Sequence, residues 1–215
     1  MWRLLLPLTC PSCGAPCRAV CPTCRPAFPP RLGAQVPSGL DALWCPFAYD
    51  GAVKHLVLAS KATASHGWLE VMATLLPRPG PGMVEAPTST PTLVTWATGS
   101  AVHRRQRGYD PAERLARRYA GLSGLRCSSM LRRVGGPQEG RTVAERSTVQ
   151  FTPRRRPFGG GAHTVLLIDD VVTTGASMTR SAEALRQAGA HLVIGVAFAQ
   201  REWDGHRPKF GVTEQ

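Results

Sequence analysis

Two apolar runs near the C-terminal end have no polar position to interrupt them. These are Val165-Leu166-Leu167-Ile168 and Leu192-Val193-Ile194-Gly195-Val196-Ala197-Phe198-Ala199. Runs of this length without alternation predict strands buried on both faces, as in a parallel sheet. Between them, a helix is predicted from about Ser177 to Ala188, ended by Gly189. Strand, helix and strand with short turns make a βαβ unit, so the chain reads as α/β with a mostly parallel sheet. Upstream, Val53, Leu56 and Val57, then Leu69, Met72, Leu75 and Leu76, recur at helical spacing, and Lys61 to Gly67 interrupts them as a polar loop. Residues 77–91 are rich in Pro and Gly and read as a surface loop. Thr92-Leu93-Val94-Thr95-Trp96 is a short strand. Asp110-Pro111-Ala112-Glu113 opens a further helix: Asp110 can cap it, Pro111 fits its first position, and Glu113 can complete a capping box. Leu115, Tyr119 and Leu122 form the apolar face of that helix, whereas residues 25–46 read as an irregular linker and 135–160 as mostly irregular and basic.

Composition narrows the partners. The net charge is +12, and only three of the 26 basic residues are Lys (Lys54, Lys61, Lys209). Arginine binds phosphate through a planar fork, so a polyanionic ligand suits this balance, and a solvated basic surface suits it equally. No stretch reaches the roughly 18 apolar residues of a membrane span. The opening Met1–Leu8 is too short and too broken by Pro7 for a secretory signal, and Leu8-Thr9-Cys10 makes a poor lipoprotein site. A cytoplasmic protein with reduced cysteines is expected.

The chemistry concentrates after the first apolar run. Asp169-Asp170-Val171-Val172 leads into Thr173-Thr174-Gly175-Ala176-Ser177 and then into the predicted helix. The carboxyl end of a parallel strand faces the ligand crevice. A turn there wraps a helix N-terminus, whose outward N–H groups and dipole favour an anion. Thr173, Thr174 and Ser177 add hydroxyl donors, and Gly175 allows close backbone approach. The two acids would repel a phosphate but suit hydroxyl donors or Mg²⁺. A ribose 5-phosphate offers both halves; a plain helix cap is the simpler alternative. This stretch resembles the phosphoribosyl pyrophosphate motif of type I phosphoribosyltransferases. The resemblance implies that Asp169 and Asp170 contact the ribose hydroxyls, the residues expected to be catalytic, and that Thr173, Thr174, Gly175, Ala176 and Ser177 hold the 5′-phosphate.

His103-Arg104-Arg105-Gln106-Arg107-Gly108-Tyr109 reads as a basic loop between the Thr92–Trp96 strand and the capped helix. Arg104, Arg105 and Arg107 could close on a pyrophosphate or on a nucleic-acid backbone, or simply face solvent. The segment resembles the Arg-Arg-x-Arg-Gly-aromatic signature of the ComF family, the competence-associated branch of the same fold. Lys61, with Gly67 beyond it, resembles that family's Lys loop and implies a pyrophosphate contact. Gln138 with Arg146 resembles a further family segment. The chain departs from the family in two places: no Asn follows Arg146, and Val94-Thr95-Trp96-Ala97 stands where Val-Pro-Val-Pro is common.

Five of the seven cysteines fall between residues 10 and 24. Cys10-x2-Cys13 and Cys21-x2-Cys24 offer four thiolates at the spacing of a structural Zn²⁺ site, with unliganded or redox thiols as the alternative. Cys17 could replace one ligand, while Cys45 and Cys127 read as packing residues. The ComF resemblance includes such a zinc-binding N-terminal segment.

The expected organisation is a zinc-ribbon-like segment and linker over 1–46, a phosphoribosyltransferase-like domain over 47–202 and a tail over 203–215. Three functions compete on these residues: pentosyl transfer from phosphoribosyl pyrophosphate with Mg²⁺ to an unidentified acceptor; a non-catalytic module holding single-stranded DNA during uptake; and a regulator that has lost its ligand. The intact acids and Thr-Thr-Gly argue against the third. The low aromatic content, 7%, leaves few stacking platforms for the second.

Overall fold

The computed structural model describes residues 8–17, 21–30, 35–62, 66–78, 92–99, 101–134, 150–154 and 163–201. The N-terminal segment forms a short antiparallel ribbon, β1 (Leu8–Thr9) with β2 (Pro16–Cys17), and a 3-10 turn at Arg25–Ala27. The main sheet holds β3 (Ala42–Trp44), β4 (Phe47–Ala48), β5 (Thr92–Trp96), β6 (Arg126–Cys127), β9 (Thr164–Val172) and β10 (Leu192–Gln200). Its order is β3-β10-β9-β5-β6, with β4 also against β10, and every pairing is parallel. The helices are α1 (Gly51–Ser60), α2 (His66–Leu75), α3 (Ala101–Arg107), α4 (Pro111–Ser123) and α5 (Ala176–Gln187). The hairpin β7 (Leu131–Val134) with β8 (Gln150–Pro153) is antiparallel and separate from the sheet.

Alternation along the two central strands explains the layers. Leu166 and Ile168 of β9, with Ile194, Val196 and Phe198 of β10, pack against α1, α2 and α4 through Val53, Leu56, Leu69, Met72, Leu115 and Tyr119. Val165 and Leu167, with Val193 and Ala197, pack on the other face against Met178, Ala182 and Leu185 of α5 and against Leu131 and Phe151 of the hairpin. A strand covered on both faces has no polar side to show, which is why its sequence reads as one apolar run. Each fully buried Leu, Ile or Val contributes about 1.5–3 kcal/mol through removal from water. That burial holds the βαβ unit, and hence the turn at its crest, in place.

Three local expectations need revision. Residues 25–46 are not wholly irregular, because Ala42–Trp44 joins the sheet edge beside Ile194–Val196. The basic segment is not a loop: Ala101–Arg107 is a helix, and Gly108 at φ +76° turns the chain out of it. Too short for an apolar stripe, it left no periodic signal. Within 135–160, expected to be mostly irregular, Gln150–Pro153 pairs with β7. The inner strand also runs past Ile168, so both acids lie within β9 and Asp169 pairs in register with Ala197. Gln138, Arg146, most of the 77–91 loop and the 203–215 tail lie outside the described residues.

Candidate functional site

All strands of the sheet run the same way, so their carboxyl ends meet at one edge. There β9 ends in Asp169-Asp170-Val171-Val172, and Thr173 to Gly175 carry the chain into α5. Gly175 is the residue before the helix, at φ +75° and ψ −7°. A side chain is strained at that angle. A Cβ there would also lie 3.0 Å from Pro37 Cγ and 3.1 Å from Pro37 Cβ, so the turn has no room for one. The first helical bond is from Thr179 N–H to the Gly175 carbonyl. The N–H groups of Ala176, Ser177 and Met178 therefore precede the helical ladder. Thr174 Oγ1 accepts from Ala176 N–H at 3.4 Å. Thr173, Thr174 and Ser177 are exposed, and Ala176 is half-buried. Backbone N–H groups beside exposed hydroxyls, at the positive end of a twelve-residue helix, suit a phosphate monoester.

The acids sit one step upstream. Asp170 shares a strand face with Ile168, the face covered by α1, and there meets the residue that follows that helix. Lys61 Nζ lies 2.7 Å from Asp170 Oδ2. The Lys61 ammonium is pulled down by burial, but the carboxylates, Asp170 foremost, outweigh this and hold its pKa above the usual lysine value. Asp170 Oδ1 accepts from Val171 N–H, and Asp169 Oδ1 from Asp170 N–H, each at 2.9 Å. Burial, then the adjacent Asp170 charge, push the Asp169 carboxyl well above the ordinary range. One ammonium thus serves two crowded carboxylates. The pair is short of positive charge and of hydroxyl donors, both of which a sugar diphosphate with a divalent cation brings. The residues present fit Mg²⁺ in that sense.

The basic segment flanks this edge. Arg104 and Arg107 are half-buried and Arg105 is exposed in the last turn of α3. Arg104, Arg105, Gly108, Tyr109, Asp110 and Glu113 line an open depression of about 360 Å³. Asp110 caps α4 as its sequence predicts, accepting from Ala112 N–H and Glu113 N–H. Its second oxygen accepts from Gly99 N–H at 2.9 Å, which fixes the turn after β5. Burial raises the Asp110 carboxyl despite these bonds. Glu113, expected to close a capping box, takes Arg117 Nε at 2.9 Å one turn on. The Tyr109 hydroxyl donates to the Ser60 carbonyl at 2.6 Å, beside Lys61. The structure therefore brings Lys61, Asp169, Asp170 and the 173–177 turn to one edge. Tyr109 ties the Arg104–Arg107 segment to that edge, a link that no spacing in the sequence reveals.

The candidate metal centre lies elsewhere. The Sγ atoms of Cys10, Cys13, Cys21 and Cys24 all fall within 4.8 Å of one another. Cys10 to Cys24 is 3.8 Å and Cys13 to Cys21 is 3.7 Å. Four sulfurs bound tetrahedrally at about 2.3 Å stand about 3.8 Å apart, so the set fits Zn²⁺. Backbone N–H groups, that of Cys24 foremost, lower Cys21 to about 7. Cys24 is pushed up to about 12, first by its bond with Cys13. So crowded a set cannot ionise fully without a cation. Cys17 lies nearby but outside the convergent four, and Cys45 Sγ points to the Phe47 carbonyl. Cys10, Cys21, Cys24 and Phe28 share the lining of a small apolar cavity with Ala52 and Leu56 of α1 and Trp68 and Val71 of α2. Arg25 stacks over Phe28 and Phe47 at 5.4 and 5.2 Å.

Among the described residues no helix is long and apolar enough to cross a membrane. No curated protein matches the sequence at a significant level. A purine phosphoribosyltransferase from Pyrococcus horikoshii Ot3 is similar at 19% identity over 55% of this chain and 68% of that one, with a TM-score of 0.30. Residues 105–214 match the family model described as a phosphoribosyl transferase domain, a span that holds Arg105, Arg107, both acids and the whole 173–177 turn. That span is just over half of the chain, and it agrees with the parallel sheet, the flanking helices and the turn at the crest of β9: the chain belongs to the phosphoribosyl transferase domain family and carries its type I α/β fold.

Proposed function

We propose that the carboxyl edge of the sheet binds phosphoribosyl pyrophosphate together with Mg²⁺ and supports pentosyl transfer. The observation that carries this is the Lys61–Asp170 pair, 2.7 Å apart, directly upstream of an open Thr-Thr-Gly-Ala-Ser turn at a helix N-terminus. The 5′-phosphate would rest on Thr173 to Ser177. Asp169 and Asp170 would accept from the ribose hydroxyls, for which each carboxylate oxygen keeps lone-pair capacity beyond its bond to backbone or to Lys61. Magnesium, when bound, supplies positive charge to the leaving pyrophosphate. Lys61 and the Arg104, Arg105 and Arg107 guanidiniums add to the positive field there. In transfer, the bond from C1 to the pyrophosphate oxygen breaks as an acceptor nucleophile bonds to C1. Catalysis of this kind is mainly positioning and charge stabilisation, which the protein can supply without a nucleophile of its own.

Membership of the ComF branch is part of the same proposal, supported by the Arg104–Tyr109 signature and by four cysteines arranged for structural zinc. Residues 1–46 are then the zinc-bearing segment, contributing β3 to the sheet, residues 47–202 the phosphoribosyltransferase-like domain, and 203–215 the tail. A titration tests the function. Phosphoribosyl pyrophosphate with Mg²⁺ should raise the melting temperature of the wild type and leave Asp169→Asn/Asp170→Asn unmoved. No shift in the wild type, together with single-stranded DNA binding that weakens steeply with salt, would instead favour the nucleic-acid module.

A further inference from the structure

We infer that the Tyr109 hydroxyl is the positioning group for Lys61, and through it tunes recognition of the pyrophosphate part of the donor. This rests on the proposed function and goes beyond it, because Tyr109 is none of the residues assigned there to the donor. Helix α1 ends in a tightened turn, with Lys61 N–H bonded to the Leu58 carbonyl and Ala62 N–H to the Ala59 carbonyl. Its last carbonyls need partners from outside the helix. Tyr109 supplies one: its hydroxyl donates to the Ser60 carbonyl at 2.6 Å and stands 3.4 Å from the Ala62 carbonyl. Those two carbonyls flank Lys61, and the bond to Ser60 holds the backbone immediately before the residue that reaches Asp170. The Ser60 side chain does not compete, because its hydroxyl is buried and donates to the Val57 carbonyl at 2.7 Å.

The tyrosine is itself fixed. Gly108 reverses the chain at φ +76°, with its N–H on the Arg104 carbonyl, and Asp110 anchors the next residue to α4 and to Gly99. Tyr109 is therefore a strut from a rigid junction to the Lys loop. A family pattern requiring only an aromatic ring there gives the ring a packing role; the hydroxyl makes this contact specific to tyrosine.

Consider Tyr109→Phe, which keeps the ring. Ribose 5-phosphate engages the turn and the acids but has no pyrophosphate, so its affinity should stay within about twofold of wild type. Phosphoribosyl pyrophosphate with Mg²⁺ should bind about fivefold more weakly, the scale of one lost hydrogen bond. In a Lys61→Met background the same Tyr109→Phe change should have no further effect on either ligand. Equal loss of both ligands, no loss of either, or a full effect that persists without Lys61 would each overturn the inference while leaving the proposed function intact. A wild type that binds neither ligand removes the proposed function, and this inference with it.

Discussion

Replacing Gly175 with Ala probes the phosphate turn at its tightest point. Two costs act together. The backbone sits at φ +75°, where a Cβ costs about 1–2 kcal/mol. The methyl would also stand 3.0 and 3.1 Å from two ring atoms of Pro37, whose ring has no rotamer to give. Overpacking of this kind costs about 1–3 kcal/mol. Alanine recovers about 0.5 kcal/mol by restricting the unfolded chain. The net loss should be about 1.5–4.5 kcal/mol, or about 3–18 °C in melting temperature for a chain of this length. Urea denaturation measures it, and Pro37→Ala completes a double-mutant cycle. With Pro37 cut back, about 1–2 kcal/mol of the Gly175→Ala penalty should disappear. Ribose 5-phosphate affinity should fall in Gly175→Ala, because the turn must open to fit the methyl. A Gly175→Ala protein within about 0.5 kcal/mol of wild type, or a cycle with no coupling to Pro37, would refute this account of the turn.

The other predictions concern the elements around the turn. Asp110→Ala removes a helix cap and orphans Gly99 N–H, so it should cost about 2–3 kcal/mol in denaturant unfolding, and Asp110→Asn should cost less. Lys61→Met leaves Asp170, its side chain only 12% exposed, without its cation. A loss of about 1–3 kcal/mol is expected, discounted because the Lys61 side chain is 28% exposed, and Lys61→Met/Asp170→Asn should recover most of it. Asp169 is held in the native state above its unfolded pKa. Its contribution to stability is therefore greatest below about pH 4 and declines as pH rises toward the native value. Asp169→Asn should accordingly raise the ligand-free melting temperature at pH 7.5 and leave it nearly unchanged at pH 4. Freshly purified protein should carry about one Zn per chain, and Cys21→Ser should lower both metal content and melting temperature. A fully folded, metal-free protein would contradict the cysteine assignment.

Signals that were local in the chain were legible in it. The buried run Val165–Ile168, the Asp110-Pro111 helix start and the Asp169–Ser177 stretch each carry their physics within a dozen residues, and each stands in the structure at the place its residues indicate. The two CxxC pairs likewise converge as their spacing implies. What escaped was short or distant. Helix α3 is seven mostly basic residues with no apolar stripe, and its end is marked only by Gly108. Strands β3 and β8 are three and four residues long, too brief for alternation to register, and owe their form to β10 and β7. The Lys61–Asp170 pair and the Tyr109–Ser60 bond join residues 109 and 49 positions apart, so neither follows from periodicity. Resemblance brought Lys61 forward as a pyrophosphate contact, whereas its partner among the described residues is an acid that packing supplies.

The central claim is that one edge of the sheet holds a monophosphate on the turn and the attached pentose on the twin acids. A crystal structure of the protein with ribose 5-phosphate addresses it most directly. The phosphate oxygens are predicted within about 3 Å of the N–H groups of Gly175 to Ser177, with both ring hydroxyls on Asp169 and Asp170. Density for the ligand at the Arg104–Glu113 depression alone, with the turn empty and Lys61 still on Asp170, would contradict it.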